Sequence, residues 1–328
     1  MRSRWFRILS MLILVSLVLN ACARQTAPAQ TLRVNLSSYP ETLDPQKAFY
    51  GNEIAHLRLI YEGLTRLDAT LQTVPGAAEK WEYNADATEL TFTLRANLHY
   101  SDGSLLNARR FEYALLRSID PMTGGDYTAV TDLISGAAEW RNADLTRTTP
   151  EQLSALKAAV KVKALDRRGN PCSSYDQSDC LELKIGFKQP TPFFHTVMSL
   201  SLAYPAKEEL IKAGGLAWYT DPRYQVGNGS MVLSDLKSNE TALFTPNPSY
   251  WRGTAAVNIE FHYISDEATS FKEYRSGALD ILPLGAENLS TVKGDAALNA
   301  EYLSYPGSCT FALMFHQQKE PFSDPLVR

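Results

Sequence analysis

The residues best suited to covalent chemistry in this sequence are two serine–lysine pairs. Ser154 with Lys157, and Ser290 with Lys293, fit the pattern S-x-x-K, in which a lysine one helical turn away can help to activate the serine as a nucleophile. The companion patterns S-D-N and K-T-G are absent from the sequence. Because such short patterns also arise by chance, we expect a binding protein, not an enzyme. An exported acyl enzyme that uses an S-x-x-K serine remains the alternative from another class.

Other catalytic signatures are missing. The sequence has no glycine-rich phosphate loop, no H-E-x-x-H and no G-x-S-x-G. Its five histidines are scattered without the spacing of metal ligands, so no cofactor and no metal is expected. Tyrosine, by contrast, is abundant at 16 residues, and its ring and hydroxyl suit a ligand cleft. The composition therefore favours recognition over catalysis.

Two of the four cysteines flank a short polar segment. Cys172 and Cys180 enclose the residues Ser-Ser-Tyr-Asp-Gln-Ser-Asp. In an exported protein this arrangement predicts a local disulfide that closes a loop. A metal site is the alternative, but zinc needs four ligands and no histidine or further cysteine lies nearby in the sequence.

The N-terminus has the features of an export signal. Three arginines precede an apolar run over residues 8–19, which is shorter than the roughly 20 residues of a transmembrane helix. Ala21-Cys22 follows and resembles the bacterial lipobox, in which the cysteine becomes lipidated. We therefore expect a signal over residues 1–21, a lipid anchor at Cys22 and a tether over 22–30. A signal cleaved elsewhere, without lipidation, is the alternative.

The charge balance excludes one class of partner. Without the three arginines of the signal, 29 basic residues face 36 acidic ones, and no basic run stands out. Nucleic-acid binding requires clustered lysine and arginine, so no nucleic acid is expected. The remaining length suggests about two domains.

The periodicity of apolar residues predicts a mixed α/β fold. Alternating residues predict strands around Leu90–Leu94, Val160–Ala164, Leu181–Ile185 and Val257–Tyr263, with the second and third on either side of the cysteine loop. Helical spacing predicts a helix over Ile54–Leu64 with Asn52 as its N-cap, and another over Phe111–Ile119 that Asp120-Pro121 ends. Thr149-Pro150 begins a third, with Gln152 completing a capping box.

A series of short motifs then occurs in a specific order. They are LDPQKA at 43–48, YEGL at 61–64, PGAAEKW at 75–81, YSDG at 100–103, VGNG at 226–229, NPSYW at 247–251, YRSGALD at 274–280 and EPFSDPLVR at 320–328. Together they resemble the family 5 extracellular solute-binding proteins, which include oligopeptide- and dipeptide-binding proteins of ABC importers. The resemblance covers residues 31–328.

The resemblance implies a bilobed, periplasmic-binding-protein-like fold with an extra N-terminal domain. Lobe I would comprise residues 31–61 and 206–308, and the extra domain residues 62–205. Lobe II would begin at 309–328, with the rest of it absent. The apolar segment Cys309–Phe315 is expected to be a strand of that lobe. Some relatives bridge a cysteine that matches Cys309 to a later one, and a free thiol is the alternative.

The same resemblance implies the function and the site. We expect a monomer that captures peptides for a membrane-embedded ABC permease, at the outer face of the cytoplasmic membrane or in the periplasm. By position, the ligand-binding residues are Phe49, Tyr50, Gly51, Tyr127, Pro283, Leu284 and Gly285. Tyr127 could also be an ordinary loop tyrosine. Phe49 stands where a peptide-binding relative has an acidic residue, so a non-peptide solute such as a nickel chelate, a sugar or an opine remains open.

Overall fold

The structure, a computed structural model, describes residues 30–305 and 312–327. The expected signal peptide, Cys22 and Cys309 lie outside these ranges, as does all but residue 30 of the expected tether. Within them, no helix is both long enough and apolar enough to cross a membrane.

The described residues form a mixed α/β fold, as the sequence predicts. The strands are β1 Thr31–Asn35, β2 Thr65–Leu67, β3 Thr73–Pro75, β4 Ala78–Tyr83, β5 Glu89–Leu94, β6 Val162–Leu165, β7 Glu182–Gly186, β8 Met231–Lys237, β9 Thr241–Pro246 and β10 Asn258–His262. The α-helices are α1 Gly51–Ile60, α2 Ala108–Ile119, α3 Thr128–Thr131, α4 Ala137–Arg141, α5 Pro150–Ala159, α6 Phe194–Val197, α7 Glu208–Gly214, α8 Glu267–Arg275, α9 Leu289–Gly294 and α10 Ala296–Glu301.

Two four-stranded sheets organise the chain. The first has the order β1-β10-β9-β8, with β1 parallel to β10 and the other neighbours antiparallel. The second has the order β4-β5-β7-β6 and is antiparallel throughout. In β5, Leu90, Phe92 and Leu94 are buried while the intervening residues are less so, which confirms the predicted one-sided strand.

The predicted disulfide is present in the loop between β6 and β7. The Cys172 and Cys180 sulfur atoms are 2.02 Å apart, and the two strands pair as the predicted hairpin. The side-chain amide of Asn107, just before α2, donates to carbonyls of this loop at 3.1–3.2 Å. In the chain-entropy model a disulfide that closes so short a loop stabilises a fold by about 2–3 kcal/mol.

Each sheet has its own hydrophobic core. The core of the second sheet draws on residues 64–203, including the buried α2 residues Phe111, Leu115 and Ile119. The core of the first sheet draws on residues 43–61 and 204–261, including Leu57 and Ile60 of α1. The chain therefore contributes to the core of the first sheet up to α1 and then to the core of the second sheet. It contributes to the core of the first sheet again from Tyr204 onward.

The first predicted helix is wrong at both ends. Tyr50, not Asn52, occupies the N-cap, because the Asn52 amide donates to the carbonyls of Ser38 and Tyr39. The helix ends at Ile60, four residues early, because Tyr61 is extended and Gly63 packs against Met198. A β-carbon at position 63 would lie 2.2 Å from the Met198 carbonyl oxygen, so only glycine fits there. The capping box at Thr149 and Gln152 is confirmed.

The described residues divide into two compact units, one up to Pro283 and one from Leu284 onward. In the second unit, the expected strand near the end is wrong for residues 312–315, which are irregular. Leu313 and Met314 are 85% and 95% exposed. A strand needs neighbouring backbone groups to pair with, and the described residues give this segment no such partner.

Candidate functional site

Two exposed aromatic residues precede α1. The side chains of Phe49 and Tyr50 are 57% and 60% exposed, and their ring centroids lie 6.2 Å apart. Gly51 follows, and a β-carbon placed on it would meet nothing within 4 Å. Apolar surface left in water is unfavourable, so large aromatic side chains held outward mark a surface that a ligand can cover.

A buried carboxylate fixes the backbone beneath these rings. Glu53 is 2% exposed, and its carboxylate accepts the N–H groups of Phe49 at 2.8 Å and Tyr50 at 3.0 Å. It also accepts the N–H of Thr42 at 3.2 Å. Hydrogen bonds to a charged acceptor are roughly twice as strong as neutral ones. Glu53 therefore ties residues 42, 49 and 50 to the first turn of α1.

Tyr127 comes from the other core and lies beside Phe49. It is half-buried just before α3, and its ring centroid is 5.8 Å from that of Phe49. Close backbone packing explains the approach, since a β-carbon at Gly125 would lie 2.7 Å from the Gln46 carbonyl oxygen. Three of the residues expected at the site, Phe49, Tyr50 and Tyr127, thus form one aromatic cluster.

A buried ion pair joins the same two segments. The Arg117 guanidinium, on α2, donates to both carboxylate oxygens of Asp44 at 2.6 Å and to the side-chain oxygen of Gln46 at 2.7 Å. Asp44 is 1% exposed. Asp44 belongs to a motif noted in the sequence, but its partner lies 73 residues away and no local pattern identifies it.

The remaining expected site residues lie near the boundary between the units. Ile281 bridges to Val34 of β1, and its carbonyl accepts the N–H of Asn35 at 2.9 Å, which extends the first sheet by one short segment. Pro283 is the last residue of the first unit and is exposed. Leu284 and Gly285 belong to the second unit and are half-buried.

The serine–lysine pairs lie on exposed helical surfaces. Ser154 and Lys157 are exposed on α5, where the lysine ammonium lies 5.5 Å from the Trp140 ring. Ser290 and Lys293 are exposed on α9. Over residues 30–305 and 312–327, no group of three or more histidine, cysteine, aspartate or glutamate side chains is arranged to hold a metal ion.

The aromatic cluster thus lies between the two hydrophobic cores of a mixed α/β fold. A family model for bacterial extracellular solute-binding proteins, family 5 (middle), matches residues 72–328. The chain therefore belongs to the family 5 bacterial extracellular solute-binding proteins.

Curated relatives share sequence over most of this chain. The periplasmic oligopeptide-binding protein OppA of Escherichia coli (strain K12) is 30% identical over 308 residues, which are 92% of this chain and 52% of that protein. The probable deoxycholate-binding periplasmic protein YgiS of the same organism is 29% identical over 308 residues, with the same two coverages. The chain thus spans about half the length of these relatives.

A solved structure is similar as well. The Escherichia coli murein tripeptide-binding protein MppA is 26% identical, with a TM-score of 0.68, over 82% of this chain and 49% of that one. The predicted fold class is therefore confirmed for the part of a bilobed binding protein that this chain represents.

Proposed function

We propose that this protein captures peptides outside the cytoplasm and delivers them to an ABC importer. The observation that carries the proposal is the cluster of exposed Phe49 and Tyr50 with half-buried Tyr127, next to a segment held by buried polar contacts. The names of relatives support the substrate class, since OppA is an oligopeptide-binding protein and MppA a murein tripeptide-binding protein.

The cluster suits a ligand whose side chains vary. Aromatic faces offer contact area at a small entropic cost and tolerate many partners. A peptide's constant backbone can hydrogen-bond as an added strand, while its side chains enter roomy, hydrated pockets. We propose that Gly51 leaves room for the peptide backbone. Ligand contact by Pro283, Leu284 and Gly285 is proposed from the family resemblance alone.

In the proposed domain arrangement, this chain contributes one of the two walls of the ligand cleft. Lobe I comprises 31–61 and 206–308, the extra domain 62–205, and lobe II begins at 309–328. The division between the two hydrophobic cores, at residues 61–64 and 203–204, supports the first boundaries. Affinity in such a binder comes from both lobes closing on the ligand.

A lipid anchor at Cys22 is the proposed attachment to the membrane. It rests on the charged, apolar and small residues that precede the cysteine. A Cys22→Ser variant should appear in the soluble extracytoplasmic fraction or stay unprocessed. Unchanged processing and membrane fractionation would refute the anchor.

A non-peptide solute is the second candidate. Phe49 presents an exposed apolar ring where, by the family resemblance, a peptide-binding relative has an acidic residue, and the relative YgiS is named as a probable deoxycholate-binding protein. An amphipathic apolar solute could lie against this ring. A binding experiment should therefore test peptides and deoxycholate separately.

Replacing Tyr127 tests the proposed site. In the protein with both lobes, Tyr127→Ala should weaken peptide binding by about 1–2 kcal/mol, a typical loss for a contacting aromatic residue. Isothermal titration calorimetry measures the change. Tyr127→Phe is the matched control, because it keeps the ring that packs on Phe49 and should retain most of the affinity. Equal affinities for the wild type and Tyr127→Ala would exclude Tyr127 from the site.

A further inference from the structure

A pocket lies where the chain passes from α1 into β2. Its volume is about 260 Å³, and it lies within the first compact unit. The charged and hydroxyl-bearing residues that matter for its chemistry are Arg58, Glu62, Arg66, Tyr204, Tyr250 and Arg252. None of the lining residues belongs to the aromatic cluster.

Three arginines and one carboxylate determine the charge of this pocket. Glu62 is 8% exposed, and its two oxygens accept the Tyr250 hydroxyl and the Trp251 indole N–H, each at 2.6 Å. Among the described residues, neither Glu62 nor any other carboxylate forms an ion pair with Arg58, Arg66 or Arg252. Arg58, Arg66 and Arg252 thus outnumber the carboxylates near them, which are Glu62 in the pocket and Asp68, which interacts electrostatically with Arg66.

Two tyrosine hydroxyls lie beside these guanidinium groups. Arg58 is adjacent to the hydroxyl of Tyr204 and Arg252 to that of Tyr250. Burial raises the pKa of Tyr204 to about 12 and also raises that of Tyr250, so both remain neutral hydroxyls at neutral pH. Neither phenol can balance the charge of the arginines.

Arg66 contains a buried hydrogen-bond donor that has no acceptor among the described residues. This donor is its Nε atom. Leaving a buried donor unpaired costs about 1–3 kcal/mol. A guanidinium group matches the paired oxygens of a carboxylate or phosphate group, and Arg66 lines the pocket through atoms other than this buried Nε.

We propose that this pocket binds a small oxyanion, such as phosphate or a short dicarboxylate. A pocket of about 260 Å³ has room for an anion of this size. Arg58 belongs to α1, which contributes to the core of the first sheet, and Arg66 belongs to β2, so the bound anion joins these two elements.

Titration with inorganic phosphate and with succinate tests the proposal. The chain is titrated with each sodium salt by calorimetry and thermal unfolding, against sodium chloride at matched ionic strength. We expect saturable binding of at least one anion and a rise in melting temperature that chloride does not produce. Binding of phosphate alone assigns a phosphate-type ligand, and binding of succinate alone assigns a carboxylate.

Arginine variants locate the binding. Arg66→Gln and Arg252→Gln should each weaken it at least tenfold, and Arg66→Lys should weaken it through loss of the planar donor pair. Arg147→Gln is the matched control, because it removes the same charge from a side chain that is 87% exposed elsewhere, and it should bind as the wild type does. Absence of saturable binding in the wild type, or unchanged affinity in both glutamine variants, would overturn the proposal.

Discussion

Arg117→Ala is expected to destabilise the fold by about 3–5 kcal/mol, the range for removing one partner of a buried ion pair. The substitution leaves the carboxylate of Asp44, which is 1% exposed, without its two hydrogen bonds from the guanidinium. The Gln46 side-chain oxygen also loses a donor. Urea unfolding at pH 7.5 measures the loss.

The control for this substitution is an arginine on the surface. Arg147 is 87% exposed and pairs with Asp144 at 3.4 Å, so Arg147→Ala should change the free energy of unfolding by less than about 0.5 kcal/mol.

Combining Arg117→Met with Asp44→Asn should destabilise the fold by less than the sum of the two single changes, because neither charge is then left without its partner. A loss below about 1 kcal/mol for Arg117→Ala would show that this pair does not hold the two cores together.

The Arg117 substitution should also disturb the aromatic cluster. Asp44 accepts the backbone N–H groups of Gln46 and Ala48, through its side chain and its carbonyl respectively, and so shapes the segment that leads to Phe49. Loss of the ion pair frees that segment and separates it from α2. Peptide affinity in the two-lobed protein is therefore expected to fall together with stability.

Acid should destabilise the first core through His56. The imidazole is fully buried, with Nδ1 at 2.6 Å from the Asn52 carbonyl oxygen and Nε2 at 2.7 Å from the Tyr263 hydroxyl. Nδ1 must donate to the carbonyl, which leaves Nε2 to accept from tyrosine in the neutral ring. Burial lowers the pKa of His56 to about 4, against an ordinary value of 6.5.

This lowered pKa determines the direction of the pH effect. Between pH 6.5 and 4 the unfolded chain binds a proton at His56 that the folded protein does not bind, so stability falls as the pH falls. The difference of about 2.5 pKa units corresponds to about 3 kcal/mol below pH 4, and to about 2 kcal/mol at pH 5. The stabilisation is fully present above about pH 7.

A histidine substitution isolates this contribution from other titrating groups. The stability difference between the wild type and His56→Gln should shrink by about 2 kcal/mol between pH 7.5 and pH 5. A constant difference for His56→Gln would mean that His56 does not resist protonation in the fold.

Local sequence patterns predicted the structural features that depend on residues close together in the sequence. The alternation in β5, the capping box of α5 and the short polar loop of the disulfide all depend on residues close in sequence. The end of α1 at Ile60 depends instead on Gly63 meeting Met198, a contact between residues 135 apart. No periodicity within the helix could reveal it.

The candidate site also combines features that the sequence predicts with features that depend on contacts between distant residues. Phe49, Tyr50 and Tyr127 were expected from the family resemblance, but their mutual contact depends on Gly125 packing against Gln46 and on Arg117 reaching Asp44. Glu53 has a short-range signal, since an acidic residue three positions after the N-cap is typical of a helix start. Arg66 and Arg252 are 186 residues apart, and no local pattern places them in one pocket.

The most direct test of the central claim is a nuclear magnetic resonance titration of the isotope-labelled chain with tri- and tetra-alanine. With one wall of the cleft, calorimetry should detect no binding, but millimolar peptide should still perturb resonances at the wall. We expect the shifts to cluster at Phe49, Tyr50 and Tyr127 and to be lost in Tyr127→Ala. Shifts that appear there only with deoxycholate, or peptide shifts that map elsewhere on the chain, would contradict the assignment of this surface to peptides.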